Sequence, residues 1–205
     1  MSSRKRWAVG ALVAALLLTA GYFAGLLTPS LKAPGDNSAE AGFARDMSRH
    51  HAQAVAMSMI AWQNASTPEV RQLAYSIAVT QQAQIGMMSE WLKDWHLSPT
   101  GTKPAMAWMP DGAHELLPDG RMPGMASTNE INKLTEAKGK DVDILYCQLM
   151  LRHHLGGIHM VEGVLSETDN SRVRELAESM KNGQQSEIVT LRDLLTSLGA
   201  QPLGS

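Results

Sequence analysis

Phe43-Ala-Arg-Asp-Met47-Ser-Arg-His50-His51 returns as Tyr146-Cys-Gln-Leu-Met150-Leu-Arg-His153-His154, 103 residues further on. Each copy carries another Met six residues after its His pair, Met57 and Met160. The correspondence continues without a gap. Val70-Arg71, Leu73-Ala74, Gln81-Gln82 and Ile85 align with Val173-Arg174, Leu176-Ala177, Gln184-Gln185 and Ile188. A fixed step held over this length marks a duplicated supersecondary unit. Its apolar spacing is helical, so the unit reads as a helix hairpin. One hairpin buries its apolar face poorly, whereas two together close a four-helix bundle. The expected class is all-α, with two tandem hairpin repeats, and no segment shows sustained strand alternation.

Start and stop signals place the helices. The first main helix runs from about Ser38 to Asn64. Ser66-Thr67-Pro68-Glu69 opens the second, with a capping hydroxyl ahead of a Pro at the first helical position, and that helix reaches about Trp95. Ser127-Thr128-Asn129-Glu130 has the form of a capping box and starts a short helix ending near Gly139. A third main helix covers about Asp141 to Glu167. The fourth is capped by Asp169-Asn170-Ser171 and stops at Gly199. The expected soluble domain is 43–200, made of repeat one (43–96), a connection (97–140) and repeat two (141–199). The connection, rich in Pro and Gly, carries Met106, Met109, Met122 and Met125, with His114 between them.

The first residues follow a different pattern. Arg4-Lys5-Arg6 precedes an uncharged run from Trp7 to Leu27. As a helix this run would be roughly 31 Å long, about the thickness of a hydrocarbon core. Basic residues on its N-terminal side place that end in the cytoplasm. Leu26-Leu27-Thr28-Pro29 lacks the small-residue pattern of a cleavage site. Residues 1–27 therefore read as a membrane anchor or signal sequence, with 28–42 as linker. The expected location is the cell membrane, single-pass, with the soluble domain outside the cytoplasm; cleavage would make it secreted. A net charge of −2 without a dense basic patch argues against nucleic acid as a partner. The single cysteine, Cys147, excludes an internal disulfide and reads as a buried, inert thiol.

Four of the seven histidines sit in the two repeated pairs. On a helix, residues three and four apart are neighbours, so His50 and His51 flank Met47 and share a broad face with Met57. The third main helix presents Met150, His153, His154 and Met160 in the same way. These eight residues are the candidate metal ligands. His159 falls on the opposite side. Adjacent histidines on a helix cannot both face straight inward, and in the rival, purely structural reading one of such a pair often reaches solvent. Imidazole suits several transition metals, and a thioether narrows the choice to copper, Cu(I) above all with Cu(II) as the second state. Zinc sites rarely use Met. A thioether also neither titrates nor forms disulfides, which suits an oxidising compartment.

The second and fourth helices carry matching stripes: Leu73, Ile77, Gln81, Ile85, Met88 and Leu92, and Leu176, Met180, Gln184, Ile188, Leu191 and Leu195. A buried Gln needs a partner. Gln81 and Gln184 are therefore expected either to hydrogen-bond the ligand imidazoles or to set helix register.

Met47-x-x-His50-His51, Met150-x-x-His153-His154-x-Gly-Gly, Met122-Pro-Gly-Met125 and Gln81-Gln82-Ala-Gln84-Ile85 resemble the family designated domain of unknown function 305. The resemblance covers about residues 40–200. It implies a ferritin-like four-helix bundle, export, and a link to copper binding and copper tolerance. One departure is visible: Gln84 stands where the family pattern has Glu before the Ile, whereas Glu187 keeps it.

The leading reading is a non-enzymatic, anchored protein that buffers copper or hands it on. Its partners would be the ion, the membrane and a copper-accepting protein, with a homo-oligomer admitted. The alternative is a metal-free interaction module at the membrane. A di-iron oxidase is disfavoured because its Glu-x-x-His pairs are missing: no Glu here has a His three residues later. Hydrolase arrangements such as His-Glu-x-x-His or a nucleophile elbow are likewise missing.

Overall fold

The computed structural model describes residues 3–31 and 33–203. Six α-helices appear, and among the described residues there is no strand. They are α1 (Ser3–Leu31), α2 (Ala39–Asn64), α3 (Pro68–Asp94), α4 (Thr128–Glu136), α5 (Lys140–Glu167) and α6 (Ser171–Ser197). The four main helices expected from the repeat lie within one to three residues of their predicted bounds. The chain divides into two units, Met1–Gly35 and Asp36–Ser205.

In the first unit α1 is continuous helix. Among the described residues, no helix is long and apolar enough to cross a membrane. The anchor expected at 1–27 falls in part on residues whose side chains lie outside that description. Of the segment read as linker, helix occupies the part up to Leu31 and resumes at Ala39.

In the second unit α2 packs along α3, α5 packs along α6, and the two hairpins meet through α2 and α5. Short α4 rests on both α2 and α5. Ala54, Met57 and Ala61 of α2, Ile77 of α3, Tyr146, Leu149 and Met150 of α5, and Leu191 and Leu195 of α6 share one apolar core. Full burial of each large side chain contributes about 1.5–3 kcal/mol. The predicted stripes face inward. Ile77, Gln81, Met88 and Leu92 are buried, as are Met180, Gln184, Ile188, Leu191 and Leu195. Cys147 is buried, and burial pushes its thiol up to about 12, in keeping with an inert side chain.

The caps account for the helix starts, with one correction. Ser127 and Glu130 form the expected capping box, and the Asn170 side chain accepts from the N–H groups of Arg172 and Val173. Thr67 does not cap α3 in the expected way, because its hydroxyl accepts no backbone N–H. It donates instead to the buried carboxylate of Asp143 on α5, at 2.5 Å. The same carboxylate accepts the Ser66 hydroxyl (2.6 Å) and the N–H groups of Ser66 (2.9 Å) and Thr67 (3.0 Å). A charged acceptor satisfies several donors more strongly than a hydroxyl does, so the long-range cap displaces the local one. The other half has a weaker counterpart: Thr168 Oγ1 donates to Glu40 of α2 at 2.5 Å. Glu40 and Asp143 are separated by the repeat step.

The connection is fastened to α2. Asp46 accepts the Met106 N–H (2.7 Å) and the Trp108 Nε1–H (2.9 Å), and also pairs with Arg49. Met106 is fully buried beneath this anchor.

Candidate metal centre

All four repeated histidines are buried, each with at most 1% of its surface exposed. Neither pair sends a ring to solvent, as the purely structural reading of adjacent histidines would have it. Both α2 and α5 are flanked by three neighbouring helices, so the arc of each helix hidden from water is wide enough for adjacent positions. His50 and His153 pack together between these helices, with ring centroids 3.8 Å apart. His154 lies 6.4 Å from His153, centroid to centroid.

Each imidazole is held through Nε2. His50 Nε2 bonds the Pro123 carbonyl (3.1 Å), and His153 Nε2 bonds the His50 carbonyl (3.0 Å). His51 Nε2 meets the Gln84 Oε1 (2.8 Å), and His154 Nε2 meets the Glu187 Oε2 (2.7 Å). Carbonyl and carboxylate oxygens only accept, so Nε2 carries the hydrogen in every case. Burial pushes the His50 imidazole down to about 4 and the His51 imidazole down to about 3; it also drives His153 well below the usual range. Charges on neighbouring rings add to the effect. These three rings are therefore neutral at pH 7, and their single proton is on Nε2.

The other nitrogen is left with a bare lone pair. The Nδ1 atoms of His50, His51, His153 and His154 are buried without a partner, and so are the Oε1 atoms of Gln81 and Gln184. Buried polar atoms without partners are rare in folded proteins. Here six lone-pair acceptors of this kind lie on the elements that meet at the His pairs. Lone pairs left bare in this way accept either a cation or a donor hydrogen. The residues present thus fit a metal that takes nitrogen ligands. Among the described residues, however, no three His, Cys, Asp or Glu side chains already converge as a metal site.

The structure places the remaining candidates less decisively. Met47, Met57, Met150 and Met160 are fully buried. Met57 and Met150 pack within the apolar core, which accounts for their burial without any ligand. His159 is on the exposed side of α5 as expected, paired with Glu115 at 2.7 Å. Gln81 and Gln184 are buried but bond no imidazole, so their expected contact with the rings is not made. Gln184 does approach His50: a Cβ built on Gly157 would lie 2.5 Å from Gln184 Oε1 and 3.3 Å from His50 Cε1.

The residues that hold the rings are Gln84, Glu187 and Pro123. The first two follow His51 and His154 by the same 33 residues. These two positions stand out in the sequence as the visible departure between the halves, but the contact with the imidazoles was expected of Gln81 and Gln184 instead. Pro123 belongs to the Met122-Pro-Gly-Met125 turn, whose role is now plain. Gly124 has φ +79°, a left-handed conformation that favours glycine. A Cβ on Gly156 would collide with the Pro123 carbonyl, so the turn lies directly against α5. Gln53 clamps its far end, accepting the Ala126 N–H (2.7 Å) and donating to the Ala126 carbonyl (2.9 Å). The turn delivers a carbonyl to His50 and buries Met122.

Comparison with known proteins agrees with this architecture. A DUF305 protein from Streptomyces coelicolor is similar over 83% of this chain and 100% of its own, with 43% identity and a TM-score of 0.77. A DUF305 fragment from Deinococcus radiodurans matches over 78% of this chain and 96% of its own, with 27% identity and a TM-score of 0.64. CopM, solved in its Cu(I)-bound form, matches over 80% of this chain and 97% of its own, at 20% identity and a TM-score of 0.60. At that identity the likeness to CopM concerns the fold. Comparison with functionally curated proteins finds no match. The DUF305 family profile, whose description is a domain of unknown function, spans residues 40–195, and the chain belongs to that family.

Proposed function

We propose that this chain binds copper in its helical bundle and buffers the ion or hands it on, without catalysing a reaction. The observation that carries the reading is the set of four buried imidazoles, each with Nε2–H engaged and Nδ1 bare. Neutral imidazole is the state that binds metal, and a fixed tautomer removes the reorganisation cost of binding. His50, His51, His153 and His154 supply the nitrogen donors. Thioethers of Met47, Met57, Met150 and Met160 complete the set and favour Cu(I). A second support is the shared fold of CopM, whose solved forms hold Cu(I), Cu(II) and silver.

The test is a competition titration of the full-length chain against a Cu(I) chelator, with zinc run in parallel. Cu(I) should bind with Kd below about 1 µM, equivalent to roughly 8 kcal/mol, and more tightly than zinc. Combining His50→Ala with His153→Ala should weaken Cu(I) by about 100-fold or more, since second-sphere changes alone cost about 10–100-fold. Affinity no tighter than micromolar in the parent chain would count decisively against copper. It would favour the metal-free module, for which Trp62 and Tyr75, partly exposed with rings 6.0 Å apart, offer a contact surface.

We also infer export. Arg4-Lys5-Arg6 ahead of the uncharged run 7–27 supports insertion with the N-terminus in the cytoplasm and the bundle outside. Protease added to intact cells should digest the bundle and spare a cytoplasmic control. Full protection of the bundle would refute this location.

A further inference from the structure

The two His pairs differ in one atom type, and that difference has a chemical consequence. His51 is held by a neutral amide oxygen of Gln84, and His154 by a carboxylate oxygen of Glu187. The geometry is otherwise matched: both bonds come from the neighbouring helix of the same hairpin, at 2.8 and 2.7 Å. Gln84 is half-buried, and the Glu187 side chain is 20% exposed while the ring it holds is fully buried. Each acts through an imidazole, so both are positioning residues.

Resting on the copper reading above, we propose that Glu187 makes the two halves unequal: His154 is a stronger donor to a divalent copper ion than His51. Two effects act in the same direction. A carboxylate accepting Nε2–H pushes electron density through the ring to Nδ1 and makes that nitrogen a better donor. Its negative charge also offsets part of the charge that the ion brings into an apolar interior, where interactions between charges are weakly screened. Gln84 fixes the same tautomer at His51 and offers no such charge. The second effect grows with the charge of the ion, so the asymmetry is larger for Cu(II) than for Cu(I). Gln84 thus leaves the first half better matched to the univalent ion.

The experiment compares full-length parent, Glu187→Gln and Gln84→Glu chains. Each is titrated with Cu(II), and separately with Cu(I) under reducing conditions. Glu187→Gln should weaken Cu(II) by about 10–100-fold, the usual cost of losing such a partner, and should weaken Cu(I) by less. Gln84→Glu should tighten Cu(II), a gain that a merely structural role would not produce. Imidazole ¹⁵N NMR of the metal-free chains gives an independent readout. His154 should carry its proton on Nε2, with a strongly downfield N–H resonance in the parent that moves upfield in Glu187→Gln. A parent that binds copper while both variants leave Cu(II) affinity within twofold overturns this proposal and spares the copper reading. A parent that binds no copper overturns both, and a His154 proton on Nδ1 overturns the positioning role of Glu187 directly.

Discussion

Between pH 7.5 and pH 5 the metal-free chain is expected to lose on the order of 5 kcal/mol of its unfolding free energy. The cause is the buried centre. Burial holds His50 at about 4 and His51 at about 3, and drives His153 well below its ordinary value. In the unfolded chain each of these rings protonates near about 6.5. Below that pH the unfolded state takes up protons that the folded state refuses. The stabilisation is therefore complete above the unfolded value and is lost as pH falls towards the folded ones. Each proton contributes about 1.4 kcal/mol per pH unit, and three rings act together. A loss of this size is comparable with the whole stability of many domains, about 5–15 kcal/mol. Carboxylates do not blur the window: Glu130, which the Arg152 guanidinium holds at about 2, loses its contribution only below pH 5. Denaturant titrations at pH 7.5, 6 and 5 would measure the effect. Equal stability at all three would mean that the rings reach water. Copper bound at Nδ1 competes with the incoming proton, so preloaded chain should resist acid to a lower pH.

Asp143→Ala is the second large expected effect, a loss of about 3 kcal/mol at neutral pH. Four donors converge on this fully buried carboxylate, two of them main-chain N–H groups at the start of α3. Hydrogen bonds to a charged acceptor contribute about 1.5–3 kcal/mol each and do not add. Removing the acceptor takes one shared partner from all four donors, and exposed Ser66 and half-buried Thr67 then turn to water, which keeps the cost to a few kcal/mol. Glu40→Ala is the built-in control. It removes a single bond, from Thr168 Oγ1, and should cost about 1 kcal/mol or less. For a chain of this size the Asp143 substitution should lower Tm by about 6–12 °C, against about 3 °C for the control. Equal shifts for the two would show that the long-range cap contributes nothing special.

The repeat made the helices legible. A step of 103 residues fixed two hairpins, and Ser127, Asn170 and Pro68 marked helix starts that the structure retains. The His pairs were legible as a centre because they kept their relation to Met47 and Met150 in both copies. Their shared burial was not. It depends on α2 and α5 each having three neighbours, and pairing between hairpins leaves no trace in local periodicity. The partners of the rings were missed for a related reason. Gln81 and Gln184 lie on the apolar stripes, whereas Gln84 and Glu187 sit at the half-buried edge, where a polar residue reads as surface. Asp143 was hidden by distance, since a carboxylate 76 residues from Thr67 gives no local sign that it caps a helix.

Glu40 and Asp143 together restrict how the bundle can come apart. Asp143 of the second hairpin caps α3 of the first, and Glu40 of the first accepts the Thr168 hydroxyl at the end of α5, so parting the hairpins breaks both contacts at once. A half-opened intermediate has no favourable place to rest, and melting should be a single cooperative event in the second unit. Severing the chain inside the connection 97–126 would leave two fragments that each need a mate carrying the missing carboxylate.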